Sequence, residues 1–121
     1  MKKVLIVDDS PSVRQQVGMA LGQAGYGTIE AVDGMDGLSK VTNPEVSMII
    51  CDVNMPRMNG LEMIEKVKAD PKCASLPILM LTSEGQPALI ERAKKAGAKG
   101  WIVKPFKADL LVAAVKKLIA A

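Results

Sequence analysis

The sequence predicts an α/β domain, a parallel sheet covered by helices on both sides. Three observations carry that prediction. Five short strand-like runs, most of them apolar, alternate with five stretches of helical periodicity, the pattern of repeated strand–helix units. The run Met48–Cys51 is apolar at every position, as in a buried strand, and leads into Asp52 before the pattern breaks at Asn54, Pro56, Asn59 and Gly60. The length of 121 residues and a 49% hydrophobic content suit one domain, 1–121, with a sizeable core. Only one Trp, one Tyr and one Phe are present, so that core is built mainly from aliphatic side chains and Met.

The elements follow in order. Lys3–Val7 is a β-branched run ending at Asp8 and Asp9. Ser10 and Pro11 supply an N-cap and a first-turn proline. Val13, Val17, Leu21 and Ala24 recur at helical spacing, and Gly25 closes that helix. A short second strand covers Gly27–Val32. A second helix runs from about Gly34 to Val41, with Leu38 and Val41 inward, and stops before Asn43-Pro44. Val46–Cys51 is the third strand. Leu61, Ile64 and Val67 mark the third helix, which Asp70-Pro71 ends. Pro77–Leu81 is the fourth strand. Pro87 opens a fourth helix with Leu89, Ala93 and Ala96 on one face, and Gly97 and Gly100 bracket its exit. Trp101–Val103 is the fifth strand, and the last helix buries Leu111, Val115 and Leu118. No linker, repeat or low-complexity tract interrupts the series.

Composition excludes several classes of function. There is no histidine, so imidazole base chemistry and His metal ligation are excluded. Cys51 and Cys73 lack CxxC spacing; reduced thiols in a soluble cytoplasmic protein are the simplest reading. The first apolar run is too short for a signal peptide, and nothing approaches a membrane span. The net charge of +3 is asymmetric: from Pro87 onward eight basic residues face two acidic ones, leaving the earlier residues at −3. The basic residues are scattered and lack interleaved aromatics. That fits a solvated face rather than a nucleic-acid surface, and it suits an acidic protein partner.

Right-handed crossovers would bring every strand's carboxyl end to one edge of the sheet, where ligands of such sheets bind. The polar residues just past the strand ends are Asp8 and Asp9, Asp52 with Asn54, Thr82, and Lys104. Each alone has a plain reading: a turn residue, a helix cap or a surface lysine. Together on one rim they read as a site. Three adjacent carboxylates repel unless a cation sits among them, and oxygen ligands alone call for a hard ion, Mg²⁺ before Mn²⁺ or Ca²⁺. A calcium-loop reading from Asp52 fails, because the sixth position is Arg57 and the twelfth is Met63. A cation, a lysine and a hydroxyl around a carboxylate form a phosphoryl-transfer environment. Neither GxxxxGK[ST] nor GxGxxG is present, so the phosphoryl group should arrive on another molecule.

These residues carry a resemblance. The Asp8-Asp9 pair, Asp52 in CDVNMPRMNG, Thr82 in LMLTSEG and Lys104 in WIVKPF resemble the receiver domains of response regulators, most nearly the stand-alone, chemotaxis (CheY-like) kind. The similarity spans the whole chain. It implies a flavodoxin-like doubly wound sheet of strand order 2-1-3-4-5. It also implies that Asp52 is the phosphoacceptor, taking phosphate from a phosphohistidine on a partner histidine kinase. Asp9 and Asp52 would bind Mg²⁺ directly, Asp8 would lie close by or act through water, and the Asn54 backbone carbonyl would complete the protein ligands. Lys104, in a cis Lys104-Pro105 bond, would pair with the phosphoryl group. Thr82 would swing its hydroxyl toward the phosphate and change the face formed by the fourth helix, fifth strand and fifth helix. Asn54 and Glu84 would tune how fast water removes the phosphate. The chain departs from the family at Trp101, where the switch aromatic is usually Tyr or Phe; Trp101 is either a static cover of the core edge or a rotamer that moves with Thr82.

The resemblance implies a non-enzymatic signalling role, with catalysis confined to the chain's own phosphorylation and dephosphorylation. No output domain or helix-turn-helix follows, so the expected output is a protein contact, with a flagellar motor switch protein as the chemotaxis target. A phosphorelay intermediate, a phosphate sink and a receiver excised from a larger regulator are the alternatives. A haloacid-dehalogenase-type phosphatase would want Asp-x-Asp after the first strand, where this chain has Asp8-Asp9-Ser10. A phosphate-independent interaction module would have lost Asp52 or Lys104.

Overall fold

The computed structural model describes residues 2–55, 58–83 and 85–119. The strands are β1 (Lys3–Val7), β2 (Gly27–Ala31), β3 (Val46–Cys51), β4 (Ile78–Thr82) and β5 (Gly100–Val103). They alternate with α1 (Pro11–Gln23), α2 (Gly34–Lys40), α3 (Gly60–Ala69), α4 (Pro87–Ala96) and α5 (Ala108–Ile119). All pairings are parallel and the order is β2-β1-β3-β4-β5. The fold is therefore the doubly wound, flavodoxin-like sheet.

Alternation along the strands sends side chains to two separate cores. Leu5, Val7, Ile49, Cys51, Ile78 and Met80 meet α2, α3 and α4 through residues such as Val41, Leu61, Ile64, Val67 and Ala93. Val4, Ile6, Met48, Ile50, Leu79 and Leu81 meet α1 and α5 through Val17, Leu21, Leu111 and Val115. Burial on both faces accounts for strands that read as unbroken apolar runs.

Element boundaries follow local chemistry. Ser10 Oγ accepts from Val13 N–H at 3.4 Å and Pro11 follows at the first helical position of α1, where its missing N–H costs nothing. Asp33 caps α2 by accepting from Asp36 N–H at 2.9 Å. Asn59 and Glu62 form a reciprocal capping box on α3. Gly97 ends α4 in the left-handed region, at φ 110°.

Five boundaries differ from the expected ones by one residue, among them the end of α2, which stops at Lys40 with Val41 as its C-cap. β2 stops at Ala31 because its partner β1 stops at Val7, and the Val32 N–H turns to the Asp36 carboxylate instead. β4 begins after Pro77, which has no N–H for the ladder, and extends through Thr82, whose carbonyl accepts from Lys104 N–H at 2.8 Å. β5 takes in Gly100, opposite Leu79. On α5 the fully buried stripe is Leu111, Val115 and Ile119; Leu118 sits at its edge and is half-buried, because successive steps of four keep a side chain facing the sheet.

Candidate functional site

Register, more than loop conformation, assembles the site. The sheet turns in opposite directions from β1 to β2 and from β1 to β3, so the carboxyl ends of β1 and β3 flank the point where the order reverses. Asp8 N–H donates to the Ala31 carbonyl at 3.1 Å and Asp52 N–H to the Val7 carbonyl at 3.0 Å. These bonds carry the ladder one residue past each strand, so the acids leave adjacent strands side by side. The Lys104–Thr82 bond does the same for β4 and β5.

Asp8 and Asp52 are buried, at 2% and 6% exposure, whereas Asp9 is exposed. Each of the three can place a carboxylate oxygen within 4.8 Å of the other two. Lys104 Nζ donates to Asp8 Oδ2 at 2.8 Å and to Asp52 Oδ2 at 3.2 Å. The remaining oxygens are held by backbone: Ser10 N–H donates to Asp8 Oδ1 at 2.9 Å and Val53 N–H to Asp52 Oδ1 at 2.7 Å. Burial pushes the Asp8 carboxyl above its ordinary 3.8; the Lys104 hydrogen bond, the Ser10 N–H and the Lys104 charge oppose that, and the Asp52 charge adds to it. For Lys104 burial works downward, but its bond to Asp8 and the charges of Asp52 and Asp8 outweigh it and raise the ammonium above 10.5. Desolvation thus wins on the carboxyl and pairing wins on the amine.

The α3 end of the β3–α3 loop is positioned by close backbone approach. A Cβ at Gly60 would lie 1.9 Å from the Asp52 carbonyl oxygen, and Gly60 N–H donates to the Val53 carbonyl at 2.9 Å. Gly34 N–H reaches the Met58 carbonyl at 3.2 Å, and a Cβ there would lie 2.6 Å from that oxygen. Only glycine permits either approach.

The other expected site residues lie on β4, on β5 and in the loop after β3. Thr82 ends β4 fully buried, and Asn54 stands exposed two residues after Asp52. Thr82 pairs with Val103 and Met80 with Trp101, so Thr82 and Trp101 lie on the same face of adjacent strands. Trp101 is half-buried and borders a cavity of about 50 Å³ with Ile90, Ala93, Lys94 and Lys99. The Lys104–Pro105 bond is cis. Glu84 lies outside the described residues.

Sequence reasoning passed over Arg14. Its Nη1 donates to the Asp8 carbonyl at 2.7 Å and its Nε to Glu30 Oε1 at 3.0 Å. The available signal was a cation near the N-terminus of α1, where the helix dipole favours acids.

The donor set suits a hard cation: converging carboxylates, no thiolate and no imidazole. Cys51 is buried behind Asp52 with its thiol pushed far above the ordinary range by burial, and its Sγ donates to the Asp52 carbonyl at 3.2 Å, so it is no competing soft ligand.

A parallel doubly wound sheet with an acidic cluster and a bridging lysine at its reversal point defines a class: small flavodoxin-like α/β domains with a carboxylate pocket at the carboxyl edge of the sheet. Comparison with known proteins places the chain within that class. A family model for the response regulator receiver domain matches residues 4–116. The chain is 40% identical to the chemotaxis protein CheY1 of Helicobacter pylori strain J99 over 111 residues, 90% of each protein. It is 41% identical to a CheY homolog of Campylobacter jejuni, covering 90% of this chain and 85% of that one. The structure of chemotaxis protein CheY4 of Vibrio cholerae superposes with a TM-score of 0.91 at 42% identity, over 98% of both chains. This chain belongs to the response regulator receiver domain family.

Proposed function

We propose that the chain is a single-domain response regulator that accepts a phosphoryl group on Asp52 from a phosphohistidine of a histidine kinase, and that it serves chemotaxis in the cytoplasm. The observation that carries this reading is the Lys104 ammonium bridging Asp8 and Asp52 inside the three-carboxylate cluster. An Asp52 oxygen attacks phosphorus, the P–O bond forms as the P–N bond to imidazole breaks, and the lysine neutralises charge on the transferring oxygens. Asp9 and Asp52, with the Asn54 carbonyl, would hold Mg²⁺ directly, and Asp8 would do so through water; the ion supplies charge neutralisation at the phosphoryl oxygens. The Lys104 side chain is only 18% exposed and is held by two acids, so little reorganisation is needed for it to meet an anion.

Thr82 and Trp101 are proposed as the switch, and Asn54 and Glu84 as the residues that tune hydrolysis. The output surface is α4, β5 and α5. With its flanking loops it presents Lys94, Lys99, Lys107 and Lys117 exposed, which suits an acidic segment of a target such as a motor switch protein. The chain's chemistry is confined to its own phosphorylation and dephosphorylation. No helix among the described residues is long and apolar enough to cross a membrane.

The test is labelling by a small phosphodonor. Wild-type protein with Mg²⁺ and acetyl phosphate should gain an acid-stable, base-labile label, and Asp52→Asn should not; label on the variant overturns the site assignment. Pull-down with the unphosphorylated and beryllofluoride-treated forms would then identify the target.

A further inference from the structure

Arg14 stands where its charge is out of place. It lies in the first turns of α1, with its N–H donating to the Ser10 carbonyl at 3.1 Å, so its cation faces the positive end of the helix dipole. Its side chain is nonetheless only 13% exposed. The guanidinium forks between two partners, the Asp8 carbonyl at 2.7 Å and Glu30 Oε1 at 3.0 Å. Glu30 belongs to β2, opposite Ile6, and its own carbonyl accepts from Lys40 Nζ at 2.7 Å. The anchor is therefore itself fixed to the sheet.

The effect is to close the account of Asp8. Its N–H is held by Ala31, its carbonyl by Arg14, one carboxylate oxygen by Ser10 and the other by Lys104. A peptide unit is planar, so fixing the direction of the Asp8 carbonyl also fixes the Asp9 N–H and the path into the Asp9 Cα. Asp9 is the exposed member of the carboxylate trio, and its aim depends on that peptide.

We infer that Arg14, anchored by Glu30, is a positioning residue for the acidic pocket: by holding the Asp8–Asp9 peptide it aims Asp9 and sets the affinity for a divalent cation. The inference rests on the cation-binding reading of the site. It makes a prediction opposite in sign to simple electrostatics. A nearby positive charge repels a metal ion, so if Arg14 acted by charge alone, removing it would tighten binding. If it acts by position, removing it loosens binding. Loss of a partner that orients metal ligands typically costs roughly 10- to 100-fold in affinity.

The experiment measures Mg²⁺ affinity by calorimetry, and Mn²⁺ affinity by electron paramagnetic resonance, on the purified full chain with no phosphodonor present. Arg14→Gln is expected to bind about 10- to 100-fold more weakly than wild type. Arg14→Lys, which keeps the charge but loses the planar fork, should fall between the two. Arg92→Gln, which breaks an exposed ion pair with Glu65 on the far helices, serves as a control and should bind as wild type does. Equal or tighter binding by the Arg14 variants overturns the inference while leaving the cation site intact. Absence of binding by the wild-type protein overturns both. Should the Arg14 variants fail to fold by circular dichroism, Glu30→Gln, at an exposed position of β2, carries the test, with a several-fold loss expected and unchanged affinity refuting.

Discussion

Substituting Gly60 by alanine tests whether α3 is packed on the backbone of Asp52. The added Cβ would sit 1.9 Å from the Asp52 carbonyl oxygen, 2.8 Å from its carbon and 3.0 Å from Cys51 Sγ, against 3.4–4 Å for ordinary contact. Relief requires the first turn of α3 and the end of β3 to part by about 1.5 Å. Neither is free to move. Asp52 N–H is bonded to Val7, the α3 end is locked by its capping box, and Leu61, Met63 and Ile64 are buried beneath it. Overpacking of this kind costs about 1–3 kcal/mol, and losing the Gly60–Val53 hydrogen bond adds about 1 kcal/mol. The better helix propensity of alanine returns up to about 1 kcal/mol. The net loss is about 1–4 kcal/mol, or roughly 4–16 °C in Tm at ~4 °C per kcal/mol for a chain of this size. Gly22→Ala is the matched control. It lies in α1 with nothing within 4 Å of its added Cβ, so it should stabilise by about 0.5–1 kcal/mol. Thermal unfolding by circular dichroism reads both. A Gly60→Ala protein melting within about 2 °C of wild type would refute the packing of α3 onto the Asp52 carbonyl.

The other predictions concern charge and the switch. Mg²⁺ at a hundred times its dissociation constant should stabilise the fold by about 2.7 kcal/mol, EDTA should reverse this, and Asp9→Asn or Asp52→Asn should lose most of it; equal Tm with and without Mg²⁺ would refute the site. The Asp8 carboxyl is raised in the fold, so its contribution to stability is full at low pH and is lost as pH climbs from about 3.8 through the raised folded value. Asp8→Asn removes that loss, so without Mg²⁺ its stability relative to wild type should rise between acid and neutral pH in urea titrations, and a relative stability that falls would refute the assignment. Trp101 is the chain's only Trp, and it borders the small cavity beside α4. Its emission should shift on adding Mg²⁺ with beryllofluoride, and an unchanged spectrum at saturation favours the static-cover reading.

The fold was legible because four of the five strands were mainly apolar runs, every helix carried a stripe and the first four also carried a stop. Pro11, Gly97 and the Asn59–Glu62 box did at the ends what their chemistry dictates. The identity of the rim residues was legible for the same reason: a polar residue directly after a buried strand has only one edge to occupy. What the sequence left unread was pairing across the sheet. Local pattern does not separate Asp8 from Asp9, which only the family resemblance distinguished, yet one is buried against Lys104 and the other faces solvent. Gly60 read as a helix breaker, whereas its need arises from a carbonyl eight residues earlier in the chain. Arg14 carried no motif at all; its meaning comes from β2, sixteen residues away in sequence. Long-range contacts of this kind are set by register and topology, which a local pattern does not encode.

The charge balance of the rim gives the site its direction. Three carboxylates against one lysine leave two formal negative charges in a partly desolvated space. Lys104 makes this tolerable by taking both buried acids at once, while burial, more than the Asp52 charge, still raises the Asp8 carboxyl. A monovalent ion would leave the pocket negative, whereas a divalent one balances it. On the proposed reading the resting protein is held one ion short of neutrality, with the lysine shared between acids that the ion and the phosphoryl group would each claim in part. The affinity of the pocket for a cation and its readiness to take an anion on Asp52 are then coupled through a single side chain, Lys104, rather than through any movement of the sheet.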